Sequence, residues 1–517
     1  MATHDEPVKA VVIGSGFGGA IAALRLAQAG VQTVVLERGR RWPITPDGDT
    51  FCTYREPDGR AAWLSPETVM FAPKPIDVYT GLLERKVEDG ITVWAAAGVG
   101  GGSLVYNCVL YQPTRENFYQ VFPEEIDYDE LDQVYYPRVA AMLKPSPIPA
   151  DILMSDYYKS TRIFAQQAGA AGLTCRFLNV AVDWDVVREE IHGKKVPSAI
   201  AGEIWYGHNS GAKNSLDRNY LAEAEASGYV EVRPLHDVTG ITETPDGGFK
   251  ITYNEIDETG QVLATNSISC TYLFMGAGSM GTSAILVRAK ATGQLPKLND
   301  QVGQGWNGNG DTFGTRGVSI DTNPGQGGPA TVVIEDFNNP YLPQTFIVFP
   351  EWDAPEGTLT SLGMSIPGES GSFTYDAETD SAKLTWPGGA PENQKLLSAA
   401  NHTYELLDTR SPYTSSTDGK TAFSGHFHCP INGDPVKSTV NEVQEKTQAN
   451  MGVTAHPLGG VVMGQACDLY GRVKGYKGLY VVDGALIPGS AAACNPAFTI
   501  AAFAERCMDK IIAEDIT

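Results

Sequence analysis

"VVIGSGFGGAIAALRLAQAGVQTVVLERG" (residues 11–39) carries Gly14, Gly16 and Gly19 in the spacing GxGxxG, with Gly18 beside the last. Glycine-rich turns are common in ordinary loops, so the surroundings decide more than the spacing. "VKAVVI" (8–13) is a short β-branched run of the kind buried in a parallel sheet. A helical pattern follows, with Ile21, Leu24 and Leu26 among alanines, and closes at Gly30, a residue suited to left-handed helix ends. A second apolar run, "VQTVVLE" (31–37), comes directly after. Strand, glycine turn, helix and strand in that order predict a βαβ unit that binds a dinucleotide. Gly14 permits the tight turn, Gly16 lets a pyrophosphate approach the backbone, and Gly19 lets helix and strand pack closely. The helix N-terminus offers N–H groups and the positive end of its dipole to the phosphates. Glu37 closes the second strand, where a carboxylate accepts ribose hydroxyls and repels a 2′-phosphate, disfavouring NADP. The motif calls for an ADP moiety and leaves the rest of the cofactor open.

Composition narrows the partners. The 517 residues suffice for two or more domains, and 42% hydrophobic content predicts a sizeable core. Net charge is −23, from 38 basic and 61 acidic residues. Such a surface repels nucleic acid and anionic lipid, and no basic cluster reverses the balance. The eight cysteines are scattered without a CxxC pair, which suits reduced, buried thiols. "MATHDEPVKA" lacks the basic and apolar regions of a secretory leader, and no apolar run nears the ~18 residues that span a bilayer. The expectation is a cytoplasmic protein with no integral membrane segment; oligomeric state is not legible.

The strand–glycine–helix pattern recurs twice. "TYLFMGAGSMGTSAILVRA" (271–289) contains Gly276 and Gly278, and the last 60 residues contain "GLYVVDG" (478–484), a turn, and a helix from Pro496. Between the first two copies, residues 230–270 read as short strands joined by DGG and ETG turns, a β-meander. Residues 40–75 and 303–330 are loop-rich, the second a candidate domain crossing. Three such units far apart predict one cofactor domain assembled from discontinuous segments. A nicotinamide dehydrogenase usually keeps its half-sites contiguous, whereas a flavin buried along its length recruits extra segments. The organisation favours FAD.

Four stretches together resemble a known family: "VVIGSGFGGA", "AAGVGGGSLVYN" (96–107), "YLFMGAGSMGTSAILVRA", and "AHPLGGVVMG" with "GLYVVDGALIPGSAAACNPAFTIAAFAER" (455–506). The chain is similar to the glucose–methanol–choline (GMC) flavoprotein oxidoreductases, in particular their cholesterol oxidase branch. The implied fold is α/β, or α+β in two domains. A discontinuous Rossmann-like FAD domain (1–45, 225–314 and 452–517) would join a substrate domain (46–224 and 315–451) of mixed or antiparallel sheet and helices. Residues 95–110 would add flavin contacts. The nearly side-chain-free run Gly98, Gly100, Gly101, Gly102 can lie against a flat ring or phosphate, with Ser103 and Asn107 following. The resemblance implies that Asp483 meets the ribityl chain and Val238 the adenine. "GSLVYN" departs from the branch's "GSLVNG", and "NPAFTI" departs from its "NPF", leaving Ala497 where a ring is expected.

Oxidising an alcohol with a flavin needs hydride transfer from carbon and a group that takes the hydroxyl proton. The family places its active-site histidine in the "AHPLGG" motif, so His456 is the first candidate. Asn495 is the second, as an amide that orients the substrate oxygen and meets the flavin edge. Asn495-Pro496 also reads as a helix N-cap and first-turn proline. The branch further isomerises its product with a glutamate. Here Val348 of "TFIVFPEWDAPEG" (345–357) falls near that position, and Glu351, three residues on, is a further candidate on the opposite strand face. In "HFHCP", His426 and His428 share a strand face but form half a metal site at most, so no metal is expected. The sequence thus points to an FAD-dependent oxidase of a secondary alcohol on a steroid or similar bulky apolar molecule. O₂ reoxidises the flavin to give H₂O₂, and isomerase activity is in doubt. The rivals are a dehydrogenase using a non-oxygen acceptor, and a non-redox flavin-binding lyase or carrier.

Overall fold

The computed structural model describes residues 3–4, 6–70, 72–413 and 449–516. Its largest sheet is built around one long strand, Val262–Met275. The C-terminal part of that strand pairs in parallel with Val8–Ile13 on one side and with Leu479–Val481 on the other. The rest pairs antiparallel with Phe249–Ile256, and His236–Glu243 completes the meander that the DGG and ETG turns predicted. Thr33–Leu36 and Val230–Arg233 extend the parallel side. Apolar β-branched residues dominate the parallel strands because both faces are covered; Ala10, Val11, Val12 and Ile13 are all buried.

Register brings the three glycine turns together. Ile13 pairs with Leu36 and Met275, and Met275 pairs with Val481, so these strands end in one row. A turn and a helix follow two of them: Phe17–Gln28 after the first and Gly278–Ala291 after the long strand. A ligand cleft at the carboxyl ends of parallel strands is the general consequence. Close packing there requires glycine. A Cβ on Gly19 would lie 2.0 Å from the Gly14 carbonyl oxygen, and one on Gly276 would lie 2.8 Å from the Gly19 Cα.

A second, fully antiparallel sheet runs in the order Thr312–Gly317, Thr358–Met364, Gln344–Phe349, Val332–Asp336, Thr174–Phe177. Its two faces have different partners. Ile347, Phe349 and Leu362 join the main core, whereas Phe346, Val348 and Leu359 pack with Tyr404, Leu407 and Phe164 of two covering helices. A small third sheet pairs Val453–Thr454 with Ile91–Ala96, and so delivers His456 two residues later.

The 303–330 stretch departs from its reading as a loop crossing, because it contains the edge strand Thr312–Gly317. Glycine hid it: a Cβ on Gly314 would lie 2.5 Å from the Tyr404 ring, so the aromatic cover replaces the β-branched signal. Among the described residues no helix is long and apolar enough to cross a membrane.

Candidate active site

A cavity of about 440 Å³ opens where the parallel strands end and runs on to the second sheet. Gly14, Gly16 and Gly18 line its start, with Gly276 and Gly278 from the second turn. Gly14 takes φ +89°, a conformation natural to glycine. Gly16 caps the helix Phe17–Gln28 without any side-chain hydrogen bond, leaving its first amides to the cavity. The second glycine run divides into two roles. Gly101 and Gly102 line the cavity, and Gly101 presses so closely on Gly16 that a Cβ would lie 2.6 Å from its Cα. Gly98 and Gly100 stand behind, Gly98 against Trp42 and Gly39, with Gly100 next to Asp217. Ser103 is likewise structural: its hydroxyl donates to the Gly100 carbonyl and accepts from the Leu216 N–H. Gly19 is a packing residue and not a lining one.

Glu37 lines the cavity at the end of its strand, yet its carboxylate is already well supplied. One oxygen accepts from the Ser15 N–H at 3.0 Å and the Ser15 hydroxyl at 2.7 Å; the other accepts from the N–H groups of Gly39 and Gly98. These donors hold the carboxylate at the cleft, and a ribose hydroxyl would share its lone pairs with them. Val238 lies on the same wall. Asp483 ties the third unit to the second. It accepts from the Gly278 N–H (2.8 Å), the Thr282 hydroxyl (2.5 Å) and the Ala485 N–H (2.9 Å). Burial pushes its carboxyl up to about 6, against the pull of those donors. Asn107 lines the cavity while its carbonyl oxygen accepts from the Ala330 N–H.

His456 lies on the cavity wall, and its Nδ1 is 2.8 Å from Oδ1 of Asp311, a residue 145 positions earlier. The other oxygen of Asp311 accepts from the Thr454 hydroxyl and the Ala455 N–H. Asn495 lines the same cavity. It opens the helix Pro496–Glu514, but its side chain makes no capping bond, and its Oδ1 is buried without a hydrogen-bond partner. Of the two readings of Asn-Pro, the backbone takes the helix start and the side chain is left to the cavity. Asn309 braces the preceding turn, donating to the Cys494 carbonyl and accepting from the Ala491 N–H. Ala492 and Ala493 there take φ of +60° and +63°, a strained conformation held by these bonds. Asp311, Asn309 and Thr454 carry no sequence signal of their own. "WNGNGD" reads as a loop, and only the fold brings it against both candidates.

The candidate base for isomerisation is corrected. Along Gln344–Phe349 it is Ile347 that lines the cavity, and Val348 faces the opposite core. Glu351 is buried outside the cavity, accepting hydrogen bonds from the Thr360 and Thr315 hydroxyls. Strand alternation turns Val348 away from the wall where Leu362 joins Ile347, and Glu351 lies beyond the end of that strand. His426 and His428 lie outside the described residues. Among the described residues no group of three His, Cys, Asp or Glu is placed to hold a metal ion.

A family model described as GMC oxidoreductase matches residues 376–504, and one described as an FAD binding domain matches 9–43. A cholesterol oxidase of Mycobacterium tuberculosis is 27% identical, covering 96% of this chain and 89% of that protein. One of Acinetobacter baumannii is 26% identical, covering 98% and 94%. The chain is similar to GMC oxidoreductases, by the family model over 376–504 and by the two cholesterol oxidases over nearly its whole length. The fold agrees: pyridoxine 4-oxidase from Mesorbium loti superposes with a TM-score of 0.65 at 13% identity, covering 98% and 99% of the two chains. A fungal aryl-alcohol oxidase gives 0.62, also at 13%, covering 99% of each. The cofactor is FAD. The residues present fit it: glycine cradles where a pyrophosphate must approach, a helix start without a side-chain cap, and a cavity whose wall includes an imidazole.

Proposed function

We propose that this protein is a GMC oxidoreductase that oxidises a secondary alcohol on a steroid or similar bulky apolar molecule, with O₂ as final acceptor and H₂O₂ as product. Bound FAD supplies the two-electron acceptor for hydride leaving the carbinol carbon. The observation that carries the reading is the imidazole of His456 on the cavity wall with Nδ1 engaged by Asp311, which leaves Nε2 to accept the hydroxyl proton. The Asn495 amide, uncommitted to helix capping, orients the substrate oxygen. Met70, Trp94, Val109, Trp205, Ile347 and Leu362 make the surrounding wall apolar, which supports a bulky hydrophobic substrate. The similarity to two cholesterol oxidases supports the sterol class.

For the cofactor we assign Glu37 to the adenosine ribose, Val238 to the adenine and Asp483 to the ribityl chain. Residues 1–45, 225–314 and 452–517 are assigned to the FAD domain, and 46–224 with 315–451 to the substrate domain. Sheet membership supports the first set, since its strands share one sheet. The test is His456→Ala, followed by stopped-flow reduction of the flavin with sterols and terpenoid alcohols and by peroxide release. FAD retained with reduction slowed about 10²–10⁴-fold is expected. An unchanged rate refutes the assignment. Flavin reduction without peroxide would instead favour the dehydrogenase reading, and no reduction by any alcohol the lyase or carrier.

A further inference from the structure

We infer that Asp311 is a positioning residue that holds His456 in the one tautomer able to accept a proton from substrate, an inference resting on the proposed role of His456. Asp311 is almost wholly buried, and an ionised carboxylate only accepts hydrogen bonds. At 2.8 Å from Oδ1, Nδ1 must therefore carry the ring proton, and Nε2 keeps its lone pair. The carboxylate cannot turn away. Oδ2 is held by the Thr454 hydroxyl at 2.9 Å and by the Ala455 N–H at 3.1 Å, both from the segment leading into His456. Thr454 also accepts from the His456 N–H, so ring, backbone and carboxylate form one closed arrangement. In the proposed reaction the hydroxyl proton passes to Nε2, the hydride leaves for the cofactor, and the Nδ1 proton stays where it is. The imidazolium so formed faces a buried carboxylate.

The geometry makes an asymmetric prediction about two substitutions. In Asp311→Asn, an amide group placed at the Oδ2 position would confront the Ala455 N–H donor. The amide oxygen therefore takes that position, and the NH₂ group turns to Nδ1. Nδ1 must then accept, the ring proton moves to Nε2, and the base is lost. In Asp311→Ala nothing enforces either tautomer, so the active one remains partly populated. The isosteric change is thus the more harmful, the reverse of what a packing or purely structural role would give.

The experiment uses the FAD-loaded protein and its two variants. ¹⁵N-histidine labelling reports the ring tautomer, with His456 assigned by difference from His456→Gln, and stopped flow gives the limiting rate of flavin reduction. Expected are Nδ1–H in the wild type and Nε2–H in Asp311→Asn. Reduction should slow about 10²–10⁴-fold in Asp311→Asn, and less in Asp311→Ala, with substrate KM and FAD content little changed. An Nε2–H wild type overturns the inference, and so does an Asp311→Asn variant that is faster than Asp311→Ala. Should Asp311→Asn fail to fold, the wild-type tautomer decides alone. Normal reduction in His456→Ala would refute the role of His456 itself, and the ¹⁵N spectrum tells the two failures apart.

Discussion

Replacing Gly16 by alanine separates cofactor fit from protein packing. Gly16 has an ordinary φ of −71°, and a Cβ there would meet no protein atom closer than the Gly101 Cα at 4.0 Å. The cofactor-free protein therefore accommodates the methyl at a cost within about 0.5 kcal/mol. The same methyl points into the cavity, where a bound pyrophosphate has to approach the backbone. Overpacking by one carbon costs about 1–3 kcal/mol, which is roughly a five- to 150-fold weaker Kd for FAD. Gly19→Ala is the control. Its Cβ would sit 2.0 Å from the Gly14 carbonyl oxygen, with the Val12 side chain at 3.3 Å, so strand and helix must part. It should destabilise the apoprotein itself. The assay is FAD titration of deflavinated protein by fluorescence quenching, with thermal unfolding of the same apo samples. Gly16→Ala should bind FAD weakly while unfolding like the wild-type apoprotein. A Kd within twofold of wild type would falsify the placement of the pyrophosphate at this turn.

Glu203 is buried, and burial pushes its carboxyl from the usual 4.5 up to about 7, although it accepts from the Tyr54 N–H. A raised folded-state value means stability that is full below pH 4.5 and lost as pH rises through 7, by at most about 3 kcal/mol. Glu203→Gln should flatten that slope in unfolding curves between pH 4.5 and 8; an unchanged slope contradicts it. Glu351→Gln breaks part of the Thr315–Thr360 arrangement outside the cavity, so a stability loss of about 1–3 kcal/mol with unaltered flavin reduction is expected from denaturant melts and stopped flow. A 5-ene-3β-hydroxysteroid, if turned over, should leave as the unconjugated ketone, because Ile347 and Leu362 offer no base. Peroxide release and the enone ultraviolet band followed in one cuvette check this, and matched rates of both would refute it. Glu37→Arg should lower FAD retention by removing the acceptor at the cleft, read from the flavin-to-protein absorbance ratio; full retention would reassign the ribose site.

The parallel half of the main sheet was legible in the chain because its rules are local. Strand, turn and helix signals lie within some thirty residues of one another, and Gly19 packs on Gly14 and Val12 of the same unit. Three copies of that pattern implied a discontinuous assembly, and residues 8–13, 262–275 and 479–481 do share one sheet. The family resemblance then supplied His456 and Asn495, which composition and spacing alone would have left as an ordinary turn and an ordinary helix cap. What the tertiary structure alone decided are contacts between segments with no local signature. The second glycine run split into lining and supporting residues because the fold drives Gly101 onto Gly16, leaving Gly98 and Gly100 behind. Ile347, and not Val348, faces the cavity because a strand's alternation is fixed only when a sheet acquires two different neighbours. Asp311 meets His456 across 145 residues. A hydrogen bond at that separation is set by where one strand starts and another ends in space, and neither residue's neighbours in sequence record it.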